Sequence, residues 1–229
     1  MSMFVLLVSL TSSTQLCWSQ PLRTCWLDPH TVRRPCFKNK CYCSKLTADC
    51  SSNAGNLSFI PKLTDSVIFL NFSNNSLAKI DGVDFFANVS TRLHFLDLYN
   101  NGLTYIAPGS FRRFTKLTKL LIGGNKLNYS TLPLGAVVNV PTLEALDIAC
   151  GGLGPVPSVF FYQHAMPLLA RLELSYNDIR HLDMNVFQPL QSLHGLLLWN
   201  KLGELTPSYL PSLSHLGLHE NALVDFPDT

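Results

Sequence analysis

One phrase recurs along this chain and limits what it can become: L-x-x-L-x-L-x-x-N-x-L. It is clearest as Leu93-His94-Phe95-Leu96-Asp97-Leu98-Tyr99-Asn100-Asn101-Gly102-Leu103. Copies begin at Val67, Leu117, Leu143, Leu169 and Leu213, and a damaged copy near Leu193 makes seven. Successive starts lie 26, 24, 26, 26, 24 and 20 residues apart. Self-similarity at such a period means a row of like coils, each burying its apolar side only by stacking on its neighbours. Length per domain is then a poor guide to the organisation of the 229 residues.

Within each phrase the alternating leucines make a short strand with one buried face, because side chains on a strand point alternately to its two sides. Stacked strands lie about 4.8 Å apart, while wider irregular or helical turns fill the opposite side of each coil. The unequal widths bend the stack, and the strand side becomes concave. The expected fold is therefore an α/β repeat, a leucine-rich-repeat solenoid with parallel strands on its concave face. The ninth-place asparagines (Asn75, Asn101, Asn125, Asn177, Asn200 and Asn221) are structural, each amide satisfying backbone groups of adjacent coils. Phe85, Phe111, Phe161 and Phe187 fall ten places after that position and are expected to form a spine on the convex side. Two copies depart from the pattern. The fourth has Gly151 in place of asparagine, beside Cys150, and the sixth, Leu196-Leu197-Leu198-Trp199-Asn200-Lys201-Leu202, is one residue short. The register of the sixth is ambiguous, since a slip of one residue swaps the two faces of a strand. A local defect is the expected outcome.

Residues 1–19 open with Phe4-Val5-Leu6-Leu7-Val8 and read as a signal peptide cleaved near Ser19 or Gln20, although the usual basic residue before the apolar run is missing. No other stretch approaches the roughly 18 apolar residues that span a bilayer. Residues 20–35 are irregular, with Pro21, Pro29, Pro35 and the pair Arg33-Arg34. Cys36, Cys41, Cys43 and Cys50 then form C-x4-C-x-C-x6-C inside a cap over 36–63 that covers the open edge of the first repeat. In a cytosolic protein such a cluster can hold zinc; behind a signal peptide, with no interleaved histidine, it reads as two disulfides. Cys25 and Cys150 are left over. The segment 26–35 would let Cys25 reach the fourth repeat, and a free thiol, or a partner in missing sequence or in another chain, is an equal alternative. N-x-S sequons at Asn56, Asn71, Asn74, Asn88 and Asn128 support a secreted glycoprotein. The repeats fill 64–229 and stop without a second cysteine cluster, so the last coil is expected to expose apolar surface and the chain to be the front end of something longer.

A net charge of +2, with 14% charged residues, gives no bias toward nucleic acid or an anionic membrane. No nucleophile motif, phosphate loop, metal signature or carboxylate pair stands out, so neither catalysis nor a cofactor is expected. The contact surface is expected where strand residues face out of the concave side. These are His94, Phe95, Asp97 and Tyr99 in the second repeat and Lys119 in the third. Glu144, Asp147, Arg171, Glu173, Ser175 and Tyr176 follow, then Trp199, His215 and His219. Aromatics beside mixed charge suit a protein partner, and Phe95 with Tyr99 and Tyr176 with Trp199 are the strongest pairs. A glycan at Asn71, on the same face, or at Asn74, on its margin, would screen the first repeat and leave later repeats or a lateral face for ligand. His215 and His219 share a strand face but stand roughly 13 Å apart, too far to share a metal.

With the cap at Cys36–Cys50, the Ile60-Pro61 exit and the phrase Leu103-x-x-Ile106-x4-Phe111-x2-Phe114, residues 36–229 resemble the extracellular part of a Toll-like receptor. Repeats of 24 to 26 residues fit that family's ectodomain. The resemblance implies pairing of Cys36 with Cys43 and of Cys41 with Cys50. It also implies a secreted or cell-surface role in innate immunity, recognition of microbial or protein ligands, and action as a receptor homo- or heterodimer. The chain departs from the family in having few repeats, no second cap, no membrane helix and no cytoplasmic TIR domain. Such a product would act as a soluble binder or decoy, or by joining a partner receptor. Secreted matrix, adhesion and guidance proteins share the same leucine grammar. So do lamprey variable lymphocyte receptors, against which the long repeats and missing second cap argue.

Overall fold

A computed structural model describes residues 32–51, 57–129, 131–132, 140–158, 160–161 and 166–224. The signal-peptide reading of 1–19, most of the irregular segment 20–35, Cys25 and the sequon at Asn56 lie outside the described residues.

The cap contributes β1 (Arg34–Cys36), β2 (Cys41–Cys43) and β3 (Thr47–Asp49), paired antiparallel in that order. Disulfides Cys36–Cys43 and Cys41–Cys50 lock this knot. Along the repeats follow β4 (Phe69–Asn71), β5 (Lys79–Ile80), β6 (Phe95–Asp97), β7 (Tyr105–Ile106) and β8 (Lys119–Leu121). Then come β9 (Ala145–Asp147), β10 (Arg171–Glu173), β11 (His181–Asp183), β12 (Gly195–Leu197), β13 (Glu204–Thr206) and β14 (His215–Gly217). One ten-stranded sheet runs β1-β2-β3-β4-β6-β8-β9-β10-β12-β14, and all its pairs from β3 onward are parallel. The pairs β5–β7 and β11–β13 make two small parallel sheets beyond the asparagine turns. Among the described residues one 3-10 turn, Met184–Phe187, accompanies them, and the Asn185 N–H donates to the Asp183 carboxylate at 2.9 Å. The molecule is a parallel β-solenoid of the leucine-rich-repeat kind with an N-terminal disulfide cap.

The leucine rule explains the stack. Leu70, Leu96, Leu120, Leu146, Leu172 and Leu196 lie opposite one another from strand to strand and are fully buried. The sixth strand is in frame: Leu196 faces Leu172 on one side and Leu216 on the other. Its missing residue belongs to the turn. Six repeats place a left-handed residue at the eighth position, Asn74, Asn100, Gly124, Cys150, Tyr176 and Glu220, with φ between 51° and 67°. The sixth passes directly from Trp199 to Asn200 and lacks that residue, so the deletion shortens the turn without exchanging strand faces.

The asparagines tie coil to coil. Asn125 Nδ2 donates to the carbonyls of Leu98 (3.0 Å) and Ile122 (2.7 Å), and its Oδ1 accepts from the N–H groups of Asn101 (2.9 Å) and Leu103 (3.0 Å). Asn101, Asn177 and Asn221 repeat the pattern. Gly151 supplies no amide, and a Cβ there would meet Asn177 Oδ1 at 3.2 Å.

On the convex side the ring in the first coil's core is Phe86, one residue later than the ten-place count. It stacks on Phe111 with centroids 5.5 Å apart, while Phe85 sits half-buried against its edge. Phe161 meets Phe187 at 5.6 Å further along.

Candidate functional site

Three rows of side chains cross the concave sheet, from the third, fifth and seventh places of each phrase. Strand register sets the first two: Phe95, Lys119, Ala145 and Arg171 stand side by side, as do Asp97, Leu121, Asp147 and Glu173. This face divides into two unlike halves.

Over β6 to β10 most of the expected fifth-place and aromatic contact residues are enclosed, while Arg171 at the start of β10 is exposed. Phe95 is 1% exposed, Asp147 0% and Glu173 3%, and Asp97 and Tyr99 are also buried. The expectation of an exposed surface at these five positions is corrected, and part of the reason is local. The seventh-place N–H has no ladder partner, because the adjacent coil bonds the residues on either side of it: Leu98 N to Leu121 O at 2.7 Å and Asn100 N to Gly123 O at 3.1 Å. A fifth-place side chain therefore folds back to satisfy it. Asp97 Oδ1 accepts from Tyr99 N (2.8 Å), Asp147 Oδ1 from Ala149 N (2.9 Å) and Glu173 Oε1 from Ser175 N (3.0 Å). Phe95, Leu121 and Ala145 form an apolar cluster of their own on this face, with Phe69 packed beside it. Gly124 takes φ 67°, and a Cβ there would meet the Tyr99 ring at 2.9 Å, so glycine both makes the turn and admits the ring. Burial pushes the Glu173 carboxyl up to about 7; the neighbouring Asp147 adds to the rise and the hydrogen bonds from Ser175 oppose it. His94 and Lys119 are half-buried, and Glu144 is exposed at the margin.

Over the last three repeats the face opens. Arg171 and His215 are exposed in one row, with Gly195 between them. Beside them runs an aromatic ladder. The rings of Tyr176 and Trp199 meet edge to face at 6.1 Å, and those of Trp199 and His219 at 5.9 Å. The Trp199 N–H of the backbone donates to Ser175 Oγ at 3.1 Å. A Cβ on Gly217 would meet Leu197 Cδ2 at 2.7 Å and the Trp199 indole nitrogen at 3.1 Å, so glycine lets the indole lie against the strand. Burial first, then the nearby Glu220 carboxylate, hold the Tyr176 hydroxyl above the usual phenol range. The pair Tyr176 and Trp199, legible in the sequence, is thus joined by His219. Glu220, Gly195 and Gly217 were not among the sequence candidates. The available signal was glycine at third and fifth places, where other repeats carry side chains.

Of the sequons, Asn71 is half-buried on the concave face, its Oδ1 accepting from Ser73 N (3.0 Å), whereas Asn74, Asn88 and Asn128 are exposed. Cys150 is disulfide-bonded, so it is not a free thiol. The four cap cysteines bond one another, and Cys17 and Cys25 lie outside the described residues.

Comparison with known proteins agrees with this architecture. A Leucine Rich Repeat family model matches residues 92–114. Podocan of Mus musculus is 32% identical over 127 residues, 54% of this chain and 20% of podocan. Oligodendrocyte-myelin glycoprotein of Homo sapiens is 38% identical over 64 residues, 28% of this chain and 13% of that protein. Tsukushi of Rattus norvegicus is 28% identical over 207 residues, 83% of this chain and 57% of Tsukushi. Among solved structures, TLR13 in its complex with ssRNA13 superposes with a TM-score of 0.62 and 28% identity, over 71% of this chain and 23% of TLR13. Human 5T4 (Wnt-activated inhibitory factor 1) does so with a TM-score of 0.57 and 21% identity, over 80% of each chain, and shows the shared fold. The chain thus spans a fifth or less of podocan and oligodendrocyte-myelin glycoprotein and rather more than half of Tsukushi.

Proposed function

We propose that this chain is the binding part of an extracellular leucine-rich-repeat protein of the matrix, adhesion or guidance kind, and that it holds a protein partner on the concave surface of repeats five to seven. The observation that carries the site is the Tyr176–Trp199–His219 ladder beside the exposed Arg171. Tryptophan, tyrosine and arginine anchor protein interfaces because they bury large areas at little entropic cost and retain a polar tip. Similarity to podocan, Tsukushi and oligodendrocyte-myelin glycoprotein supports the class. The cap disulfides, the bonded Cys150 and the exposed sequons support an extracellular setting. A second reading, part of a Toll-like ectodomain, is supported by the likeness to TLR13.

The test is a binding screen with the chain secreted as an Fc fusion from mammalian cells. Its panel holds purified matrix proteins, secreted growth factors, single-stranded RNA and bacterial lipopeptides. A protein hit is expected, and Trp199→Ala should weaken it tenfold or more, about 1.4 kcal/mol, with the fold unchanged by circular dichroism. A bait that takes up only RNA or lipopeptide supports the Toll-like reading instead. Equal binding by the Trp199→Ala bait would remove the ladder as the site.

A further inference from the structure

Neither backbone nor packing calls for glycine at position 195. It opens β12 at the third place of the sixth repeat, where the neighbouring coils carry Arg171 and His215. Its φ lies outside the left-handed region. A Cβ there would meet Arg171 Cγ at 3.7 Å and the Ala170 carbonyl oxygen at 4.0 Å, which is ordinary contact. Gly217 is different, because Leu197 and the Trp199 indole fill the space that its missing side chain leaves. Glycine weakens a strand, and one use that offsets the loss is to let a ligand or a partner's chain come close. At Gly195 the result is a hollow one strand wide, with the exposed Arg171 and His215 on its two sides. Their Cα atoms stand about 10 Å apart, two strand spacings.

We propose, resting on the reading that repeats five to seven hold a protein, that this hollow receives an aspartate or glutamate of that partner, its carboxylate held between the Arg171 guanidinium and the His215 imidazole. Both side chains are long enough to lean over the hollow and bracket one carboxylate. Charge is available for it. None of the ion pairs among the described residues takes up Arg171. Glu173, the next outward residue on its strand, turns its carboxylate the other way, to Ser175 N at 3.0 Å. Asp178 pairs with Lys201 and Glu204 with His181, past the asparagine turns, and Glu144 is exposed at the margin one coil earlier. Ser214 Oγ stands 2.9 Å from His215 Nδ1, so Nε2 is the nitrogen that meets an acceptor. Hydrogen bonds from a guanidinium to a carboxylate are of the stronger, charge-assisted kind. One arginine and one histidine suit a single carboxylate, whereas a polyanion needs a run of cations. The same face of the strand continues to the half-buried Leu197 and then to Trp199, roughly 13 Å from Gly195. An extended partner segment lying along repeat six therefore sets its acidic residue about four positions from an apolar or aromatic one.

The full chain, secreted from mammalian cells as an Fc fusion, tests this against a phage-displayed library of random dodecapeptides. Selected peptides are expected to carry Asp or Glu about four positions from an aromatic or aliphatic residue. Replacing that acid by its amide should weaken binding to wild type at least tenfold and to Arg171→Gln less than threefold, a coupling that a purely structural role for Arg171 would not produce. Gly195→Leu fills the hollow and should weaken binding at least tenfold, while the melting temperature stays equal or rises, since glycine is the poorer strand residue. Arg171→Gln, at an exposed side chain, keeps the test open should the leucine unsettle the strand. Peptides that carry no acid, or whose binding survives Gly195→Leu and Arg171→Gln and is lost in Trp199→Ala, overturn the carboxylate seat and leave the aromatic ladder standing. Peptides indifferent to all three substitutions, or no enrichment at all, reject ladder and hollow together. Heparin binding that needs Arg171, with no acidic peptide enriched, gives the hollow to a polyanion and also overturns the proposal.

Discussion

Asn125→Ala is expected to be among the most damaging single substitutions in this chain, although Asn125 touches no predicted ligand surface. Its amide satisfies two carbonyls and two N–H groups buried between coils. Alanine orphans three of them, since the Leu98 carbonyl keeps the Asn101 amide at 3.1 Å, and each orphaned buried group costs about 1–3 kcal/mol. Even at the low end the sum is a large share of the roughly 5–15 kcal/mol that holds a folded domain together. The expected result is a melting temperature lower by on the order of 10 °C, or failure of the variant to be secreted. Coils in a solenoid hold only their neighbours, so hydrogen exchange should speed first in the second and third repeats. A melt within two or three degrees of wild type (about 1 kcal/mol or less) would show that the ladder is dispensable.

Glu173 governs the second large effect, which is one of pH. Its folded carboxyl titrates near 7, well above the ordinary carboxylate value of 4.5. The folded state therefore binds a proton over a range in which the unfolded chain has released it. The stabilisation this represents is fully present below the ordinary value and is lost as pH rises through about 7. The loss from this one side chain between pH 5 and 8 is on the order of 3 kcal/mol. Glu173→Gln removes the titration while keeping an oxygen to accept from Ser175. Its urea midpoint should exceed that of wild type at pH 8 and should depend less on pH. Equal pH slopes for the two proteins would show that the Glu173 carboxyl is solvated.

Much of this architecture was legible in the residues. The leucine alternation and the ninth-place asparagines are local patterns, and a strand's two-residue period turns them directly into buried rows and a ladder. The position of Phe86 was missed because the ten-place count assumes identical convex turns, and turns of different length carry their rings to different places. The sixth repeat was ambiguous for a similar reason. A missing residue can fall in a strand or in a turn, and only the register of Leu196 between Leu172 and Leu216 shows which.

The strand face was harder to read. Tyr99 has the same pattern position as Trp199 and His219, and Asp97, Asp147 and Glu173 the same as Leu197 and Gly217; strand periodicity assigns all of them to the outward side. Their exposure nevertheless differs, because periodicity says which way a side chain points and says nothing about what lies above it. By itself the sequence determined the solenoid, the cap and the asparagine ladder, since those depend on contacts that each coil repeats with the next. Only the tertiary structure decided that the early concave face is closed, that the later one carries an open aromatic ladder, and that Cys150 is bonded. The ladder depends on which side chains successive coils bring side by side, and the enclosure on how neighbouring rows pack, neither of which the pattern of a single repeat specifies.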